Sequence, residues 1–279
     1  MIKLEETYSH AIRILSNIVE DIRFGRKLYL YPANMCATQI CNYLSDNANI
    51  LTFLNSVQDK NPYMYSHPVN VAFLSFVVGK WINLDYKELE ILVLTGLLHD
   101  LGKAKIKDSL LNKADTLTLD EMEKMKSHPV MSYRLLSNEN TFDSKVLQGV
   151  LFHHERMDGS GYPLGIKGEQ INLFSRIIAI ADTFDAITAT KTYRKKNSPL
   201  DAIEEIQASS SNLFDPYICQ IFINNIIEYY NGREIRLSNE HVATIIYINP
   251  IEIRRPLILY NDEYHDLSVE TDIEIVEFL

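Results

Sequence analysis

Positive charge is scarce in this 279-residue chain: 27 Lys and Arg stand against 37 Asp and Glu, a formal net charge of −10. A nucleic-acid polymer is held by a basic face that displaces counterions, so this balance excludes a duplex DNA or RNA binder. A small phosphorylated ligand stays open, because it meets only its pocket. Cysteine is scarce too. Cys36, Cys41 and Cys219 are odd in number and form no Cys-x-x-Cys pair, which argues against a disulfide framework and fits a reducing cytoplasm. They read as small apolar core residues. With 10 Gly and 9 Pro, the chain is neither fibrous nor of low complexity. No apolar run approaches the roughly 20 residues needed to span a bilayer; Val69 to Val78 is broken by Asn70 and Ser75. The start, Met1-Ile2-Lys3-Leu4-Glu5-Glu6, carries acids where a signal peptide has a basic and then an apolar stretch, so a cytoplasmic protein is expected.

What is present is a 46% hydrophobic, 23% charged composition, enough for an ordinary packed core. The patterning predicts a mainly α fold: an N-terminal helical region over 1–60, a helical catalytic domain over 61–231 and a small antiparallel β extension over 232–279. Ile12, Leu15, Ile18, Val19 and Ile22 repeat at helical spacing. The stretch Tyr29 to Pro32 interrupts that pattern, a second helix is expected from Met35 to Val57, and Asn61-Pro62 marks a boundary. His67, Val71, Leu74 and Val78 share one helix face. Leu89 to Leu98 reads as a buried helix, Thr118 with Glu121 as a capping box opening a helix toward His128. Ser144 to Phe152 and Ile171 to Thr188 read as further helices, and Pro199 and Asp215-Pro216 as helix starts. Four short β-branched segments follow: 234–237, 243–248, 257–260 and 273–278. Ser238-Asn239 and Asn261-Asp262 serve as turns between them.

Five of the eight histidines, His67, His99, His128, His153 and His154, sit on or at the ends of apolar helices. One such residue is ordinarily a satisfied core histidine. Five, with Asp100 beside His99 and Asp182 set in Ile177-Ile178-Ala179-Ile180-Ala181, call for a common partner. Burying a lone carboxylate or imidazole costs several kcal/mol, and a shared cation would satisfy all of them. Imidazole with carboxylate suits Zn, Mn or Fe, and a carboxylate can bridge two ions. Adjacent residues on a helix diverge by about 100°. His153 and His154 can therefore meet one cluster only at a helix end, which the Gly-rich loop after Met157 supplies.

The motifs Leu97-Leu98-His99-Asp100-Leu101-Gly102-Lys103, Lys126-Ser127-His128-Pro129, His153-His154-Glu155-Arg156-Met157-Asp158-Gly159-Ser160-Gly161-Tyr162-Pro163 and Ile180-Ala181-Asp182-Thr183-Phe184-Asp185-Ala186 resemble the HD-GYP domain family in order and spacing. The resemblance runs from about His67 to about Arg194. It implies an HD-type helical bundle from a bacterium that hydrolyses cyclic di-GMP, the messenger made by GGDEF-domain cyclases, to pGpG, GMP or both. Some members prefer cyclic GMP-AMP. It also implies two divalent ions, iron or manganese ahead of zinc. His67, His99, Asp100 and Asp182 would hold one, and Asp100 would bridge to a second on His128, His153 and His154. Lys103 matches the family's phosphate-contacting lysine, which with Asp100 would serve catalysis by a hydroxide activated between the ions.

Two departures stand out. Three-metal members carry Glu four residues before the first His, where this chain has Tyr63, so two ions are expected. The family's Arg after the Asp182 helix is Lys191 here, with Arg194 nearby. A point charge thus replaces a planar fork at 191, which could shift ligand choice. Asp185 could orient a ligand or be a helix-surface carboxylate. Tyr162 could be an exposed contact for a GGDEF partner or, with Tyr193, stack on guanine. Residues 1–60 could dimerise the protein or brace the bundle. A cyclic-dinucleotide sensor or scaffold with little turnover, and an HD phosphohydrolase of another nucleotide, are the alternatives.

Overall fold

The computed structural model describes residues 2–45, 50–57, 61–139, 141–189 and 198–279. The chain is mostly helical with a C-terminal antiparallel sheet. Helix α1 spans Ile2–Arg23 and buries a stripe of Leu4, Tyr8, Ala11, Leu15, Ile18, Val19 and Ile22, the recurrence an amphipathic helix requires. Helices α2 (Tyr31–Ser45) and α3 (Ile50–Val57) follow. The single helix expected over Met35 to Val57 is therefore corrected: two helices occupy this region, and residues 46–49 between them lie outside the described residues. Pro32 opens α2 rather than breaking a helix. In a first turn its missing N–H leaves no partner unsatisfied.

Helix α4 (Tyr63–Trp81) is buried on every side from His67 to Gly79 and forms the spine of the molecule. It packs along α5 (Tyr86–Leu98), whose N-cap Asp85 accepts from the Glu88 amide at 2.8 Å. A 3-10 turn (Leu101–Lys105) and the short α6 (Asp108–Leu111) lead to α7 (Leu119–Lys126). The Thr118/Glu121 capping box is formed, with both reciprocal bonds present. Helix α8 (His128–Ser137) carries Pro129 in its first turn, and α9 (Ser144–Phe152) matches the expected span. Helices α10 (Leu173–Thr188), α11 (Pro199–Ser209) and α12 (Pro216–Tyr230) complete the bundle.

The sheet has strands β1 (Glu234–Leu237), β2 (Val242–Tyr247), β3 (Leu257–Tyr260), β4 (Glu263–Asp266) and β5 (Ile275–Phe278), in the order β4-β3-β2-β1-β5. Ile235, Leu237, Ala243, Ile245 and Ile258 form its buried face. It is tied to the bundle by Phe278 against Tyr230, with centroids 5.3 Å apart, and by Arg254 on Asp201 and Glu204. Strand β4 was not expected. Its Glu-Tyr-His-Asp sequence lacks β-branched residues, and only the turn marks it: Asn261 and Asp262 have φ of 52° and 61°, the left-handed pair of a two-residue hairpin. Cys36, Cys41 and Cys219 are buried and unpaired, and burial pushes the Cys36 thiol up to about 12. No helix is long and apolar enough to cross a membrane among the described residues.

Candidate metal centre

Three helix ends and two helix interiors converge here. His67 stands in the buried part of α4, and Asp182 enters from α10, where the five residues before it, Ile177 to Ala181, are apolar. His99 and His153 are the residues at which α5 and α9 end, and His128 is the first of α8. Ending a helix at each histidine swings the next residue inward, so Asp100 and His154 join their neighbours at one locus. Asp100 lies between two groups. Its Oδ2 is 3.4 Å from His99 Nε2 and 3.5 Å from His67 Nε2. Its Oδ1 is 3.2 Å from His128 Nε2 and 4.0 Å from His153 Nε2. Asp182 Oδ1 is 2.9 Å from His67 Nε2, and its Oδ2 is 3.8 Å from His154 Nδ1. His67, His99 and Asp100 form one group whose donor atoms lie within 4.8 Å of one another, and His128, His153 and His154 form another.

The backbone fixes how three of these rings are protonated. Nδ1 of His99, His128 and His153 lies 2.7, 2.8 and 2.7 Å from the carbonyls of Gly96, Met125 and Val150. A carbonyl only accepts, so each Nδ1 carries the proton and each Nε2 points a lone pair inward. His128 Nε2 then faces His153 Nε2 at 3.2 Å, lone pair against lone pair. His99 Nε2 and Asp100 Oδ1 are buried with no hydrogen-bond partner. Each such orphan costs about 1–3 kcal/mol. A cation at each group would satisfy all of these atoms at once, so the donor set fits divalent metal.

Electrostatics leaves four of the donors, His153, His154, Asp100 and Asp182, in ligating form. Burial, then the neighbouring imidazoles, push His153 well below the usual histidine range. Burial likewise lowers His154, against the opposing pull of Asp182. Burial alone would raise Asp100, but Lys103 and the imidazoles hold it well below the carboxylate range; His67 and His154 do the same for Asp182. His67 differs. Burial lowers it, yet hydrogen bonds to Asp182 and Asp185 outweigh this and lift it to about 9. In the metal-free protein a proton thus holds His67 Nε2 and Asp182 together, where a metal ion would take its place.

Asp185 is not a surface carboxylate. It is 2% exposed, and its Oδ2 accepts from His67 Nδ1 at 2.7 Å. Lys103 Nζ lies 2.5 Å from Asp100 Oδ2. Burial would lower its pKa, but Asp100 and Asp182 hold it raised, so it is an ammonium at neutral pH. Tyr63 stacks on His67 at 4.9 Å with its hydroxyl 3.2 Å from Nδ1. Lys191, Tyr193 and Arg194 lie outside the described residues.

The expected exposed position of Tyr162 is corrected. The ring is half-buried and stacked on His154, with centroids 4.7 Å apart, because the loop is drawn down over the ligand pair. The Tyr162 amide donates to the His154 carbonyl at 3.1 Å. Gly161 makes this approach feasible, since a Cβ there would fall 2.4 Å from the Arg156 nitrogen and the His154 oxygen. Glu155, present in the motif but given no role from sequence, is the clamp. Its buried Oε1 accepts from the amides of Leu164 and Gly165 at 2.7 and 3.1 Å. Lys126, also unassigned from sequence, places its ammonium 5.7 Å over the Tyr162 ring. A cavity of about 850 Å³ opens beside His67, Asp100 and Lys103, walled in part by Val19 and Arg23 of α1.

Comparison with known proteins fits this geometry. The HD domain family model matches residues 52–218, which include all the converging histidines and aspartates. The cyclic di-GMP phosphodiesterase PA4108 of Pseudomonas aeruginosa is 30% identical over 252 residues, 88% of this chain and 61% of its own length. The 3'3'-cGAMP-specific phosphodiesterase 1 of Vibrio cholerae is 34% identical over 178 residues, 63% of this chain and 41% of its own. The chain therefore spans about half the length of the curated relatives it matches. Among solved structures, Bd1817, a HDG"Y"P protein from Bdellovibrio bacteriovorus, shares the fold at a TM-score of 0.67 and 18% identity, over 79% of this chain and 70% of its own. The chain belongs to the HD-domain family and, by its His99-Asp100 pair and the run from His153 to Pro163, is of the HD-GYP type.

Proposed function

We propose that this chain is a metal-dependent phosphodiesterase of cyclic dinucleotides, with cyclic di-GMP as substrate and pGpG, GMP or both as product. The observation that carries it is the placement of Asp100, one carboxylate oxygen toward each of two groups of inward-aimed imidazole nitrogens. His67, His99, Asp100 and Asp182 would hold one divalent ion; His128, His153 and His154, with Asp100 shared, would hold the second. Imidazole and carboxylate donors without thiolate are compatible with iron and manganese as well as zinc, and the family resemblance favours the first two. Bound there, the ions would lower the pKa of a water and offset charge building on the phosphate oxygens.

The protein's own part is to bind and orient. Lys103 supplies a fixed ammonium at the mouth of the centre for a non-bridging phosphate oxygen. Lys191 and Arg194 are proposed as further phosphate contacts. Tyr162, packed on His154, holds that ring and offers a flat apolar surface to a base. The cavity beside Asp100 is within the size range of sites for small ligands. The exposed large apolar side chain of the loop is Leu164, 64% exposed, so any GGDEF partner would find its apolar contact there rather than at Tyr162.

The test is product chromatography on protein purified anaerobically and loaded with Fe(II) or Mn(II), offered cyclic di-GMP and 3'3'-cyclic GMP-AMP in parallel. Metal-dependent release of pGpG or GMP from cyclic di-GMP is expected, and abolished by chelation. Faster turnover of cyclic GMP-AMP would reassign the substrate. Tight binding without product in a single-turnover assay would make the chain a sensor instead.

A further inference from the structure

We propose that Tyr8, on the N-terminal helix, is a positioning residue for the metal centre, acting through Asn70 and Asp185 on His67. The inference rests on reading the site as a metal centre. The link is a run of three hydrogen bonds, each 2.7 Å: Tyr8 hydroxyl to Asn70 Oδ1, Asn70 Nδ2 to Asp185 Oδ1, and His67 Nδ1 to Asp185 Oδ2. Tyr8, Asn70, Asp185 and His67 are all at least nine-tenths buried, so no water competes for these bonds.

The direction of every bond is forced. A carboxylate only accepts, so the Asn70 amide must turn its nitrogen to Asp185. The amide oxygen then faces Tyr8, which must donate. Burial pushes the Tyr8 phenol above its ordinary value, so it keeps that proton. With both ends of the amide engaged, Asn70 cannot flip, and Asp185 has one oxygen free for His67. That bond keeps a proton on His67 Nδ1 and aims Nε2 at Asp100 and Asp182, so that a bound ion, taking the place of the Nε2 proton, would meet the lone pair, as outer-shell carboxylates arrange for metal-bound histidines. Tyr8 lies outside residues 52–218, the segment matched by the family model, so the N-terminal helix adds this brace from outside that segment.

Tyr8→Phe isolates the claim. The ring sits edge-on to Phe53 and Phe73 at 5.5 and 5.7 Å, contacts that Phe retains. Only the hydroxyl is lost, leaving the Asn70 oxygen without its donor and the amide less firmly held against Asp185. Metal-free full-length wild type, Tyr8→Phe, Asn70→Ala and the double variant are titrated with Mn(II), free ion being counted by electron paramagnetic resonance. Wild type should take up two ions. Tyr8→Phe should weaken one of them about three- to tenfold, less than the 10–100-fold typical of losing a direct outer-shell partner. In the Asn70→Ala background, Tyr8→Phe should add nothing, because its route is gone. Asn70→Leu replaces Asn70→Ala if the latter lowers the melting temperature of the metal-free protein. Wild-type affinity in Tyr8→Phe, or an equal loss with and without Asn70, overturns the proposal while leaving the metal centre intact. A wild type that binds no Mn(II), Fe(II) or Zn(II) overturns the metal centre and this inference together.

Discussion

Asp100→Asn should give a folded protein that has lost tight binding of both metal ions and about a thousandfold or more of its phosphodiesterase turnover. The substitution is nearly isosteric, so the volume of the buried side chain is kept. What changes is charge and donor capacity at the one group facing both sets of histidines, 3.4 Å from His99 Nε2 on one side and 3.2 Å from His128 Nε2 on the other. The loss should be double for that reason. His154→Ala, by contrast, removes a donor from one group only and should weaken one ion more than the other. The metal-free variant loses the charge that pairs with Lys103 Nζ at 2.5 Å, so it should stay folded but melt below the metal-free wild type. Elemental analysis, melting curves and turnover on the same preparation separate these effects. Two ions retained with more than a tenth of wild-type turnover would remove Asp100 from the bridging position.

Gly102→Ala should destabilise the fold by about 3 kcal/mol or more, the upper range for forcing extra volume into a packed interior. A Cβ on residue 102 would fall 2.1 Å from the His128 carbonyl oxygen and 2.7 Å from the Ser132 nitrogen. Both are backbone atoms of α8, so no side chain can turn aside. The 3-10 turn after Asp100 and the start of α8 would have to separate. That would break the bond from the Gly102 amide to Ser132 Oγ, 2.7 Å, and move His128 away from Asp100. For a chain of this size the melting temperature should drop by roughly 5–10 °C. The ion on His128, His153 and His154 should be weakened more than its neighbour. A variant within 0.5 kcal/mol of wild type in denaturant titration would show that the two elements part without cost.

Most helices could be read from the sequence because their signals are local: the Thr118 capping box, the apolar stretch ending at His99, the span Ser144–Phe152. The histidines and aspartates were legible because polar groups on apolar helices need a partner, and five rings need a common one. Contacts that join distant segments were not legible. Nothing in Tyr8 or Asn70 points to the other across 62 positions, and Glu155 shows its role only once the loop has folded back on it. Tyr162 reads as exposed in a Gly-rich loop, whereas Gly161 lets that loop lie on the backbone of the ligand pair and buries half the ring. The interruption expected at Tyr29 to Pro32 is there, since α1 ends at Arg23, but α2 starts at Tyr31 and not Met35 because a Pro fits a first turn; β4 was missed because a polar segment pairs as a strand.

The most direct measurement is a metal count with positions. Wild-type protein prepared anaerobically and reconstituted with Fe(II) or Mn(II) should carry two ions per chain. Anomalous scattering from its crystals should place one beside His99 and one beside His128, roughly 3.5–4 Å apart, with Asp100 between them. A fully folded protein that takes up no ion, or a single ion held without Asp100, would contradict the shared-carboxylate centre.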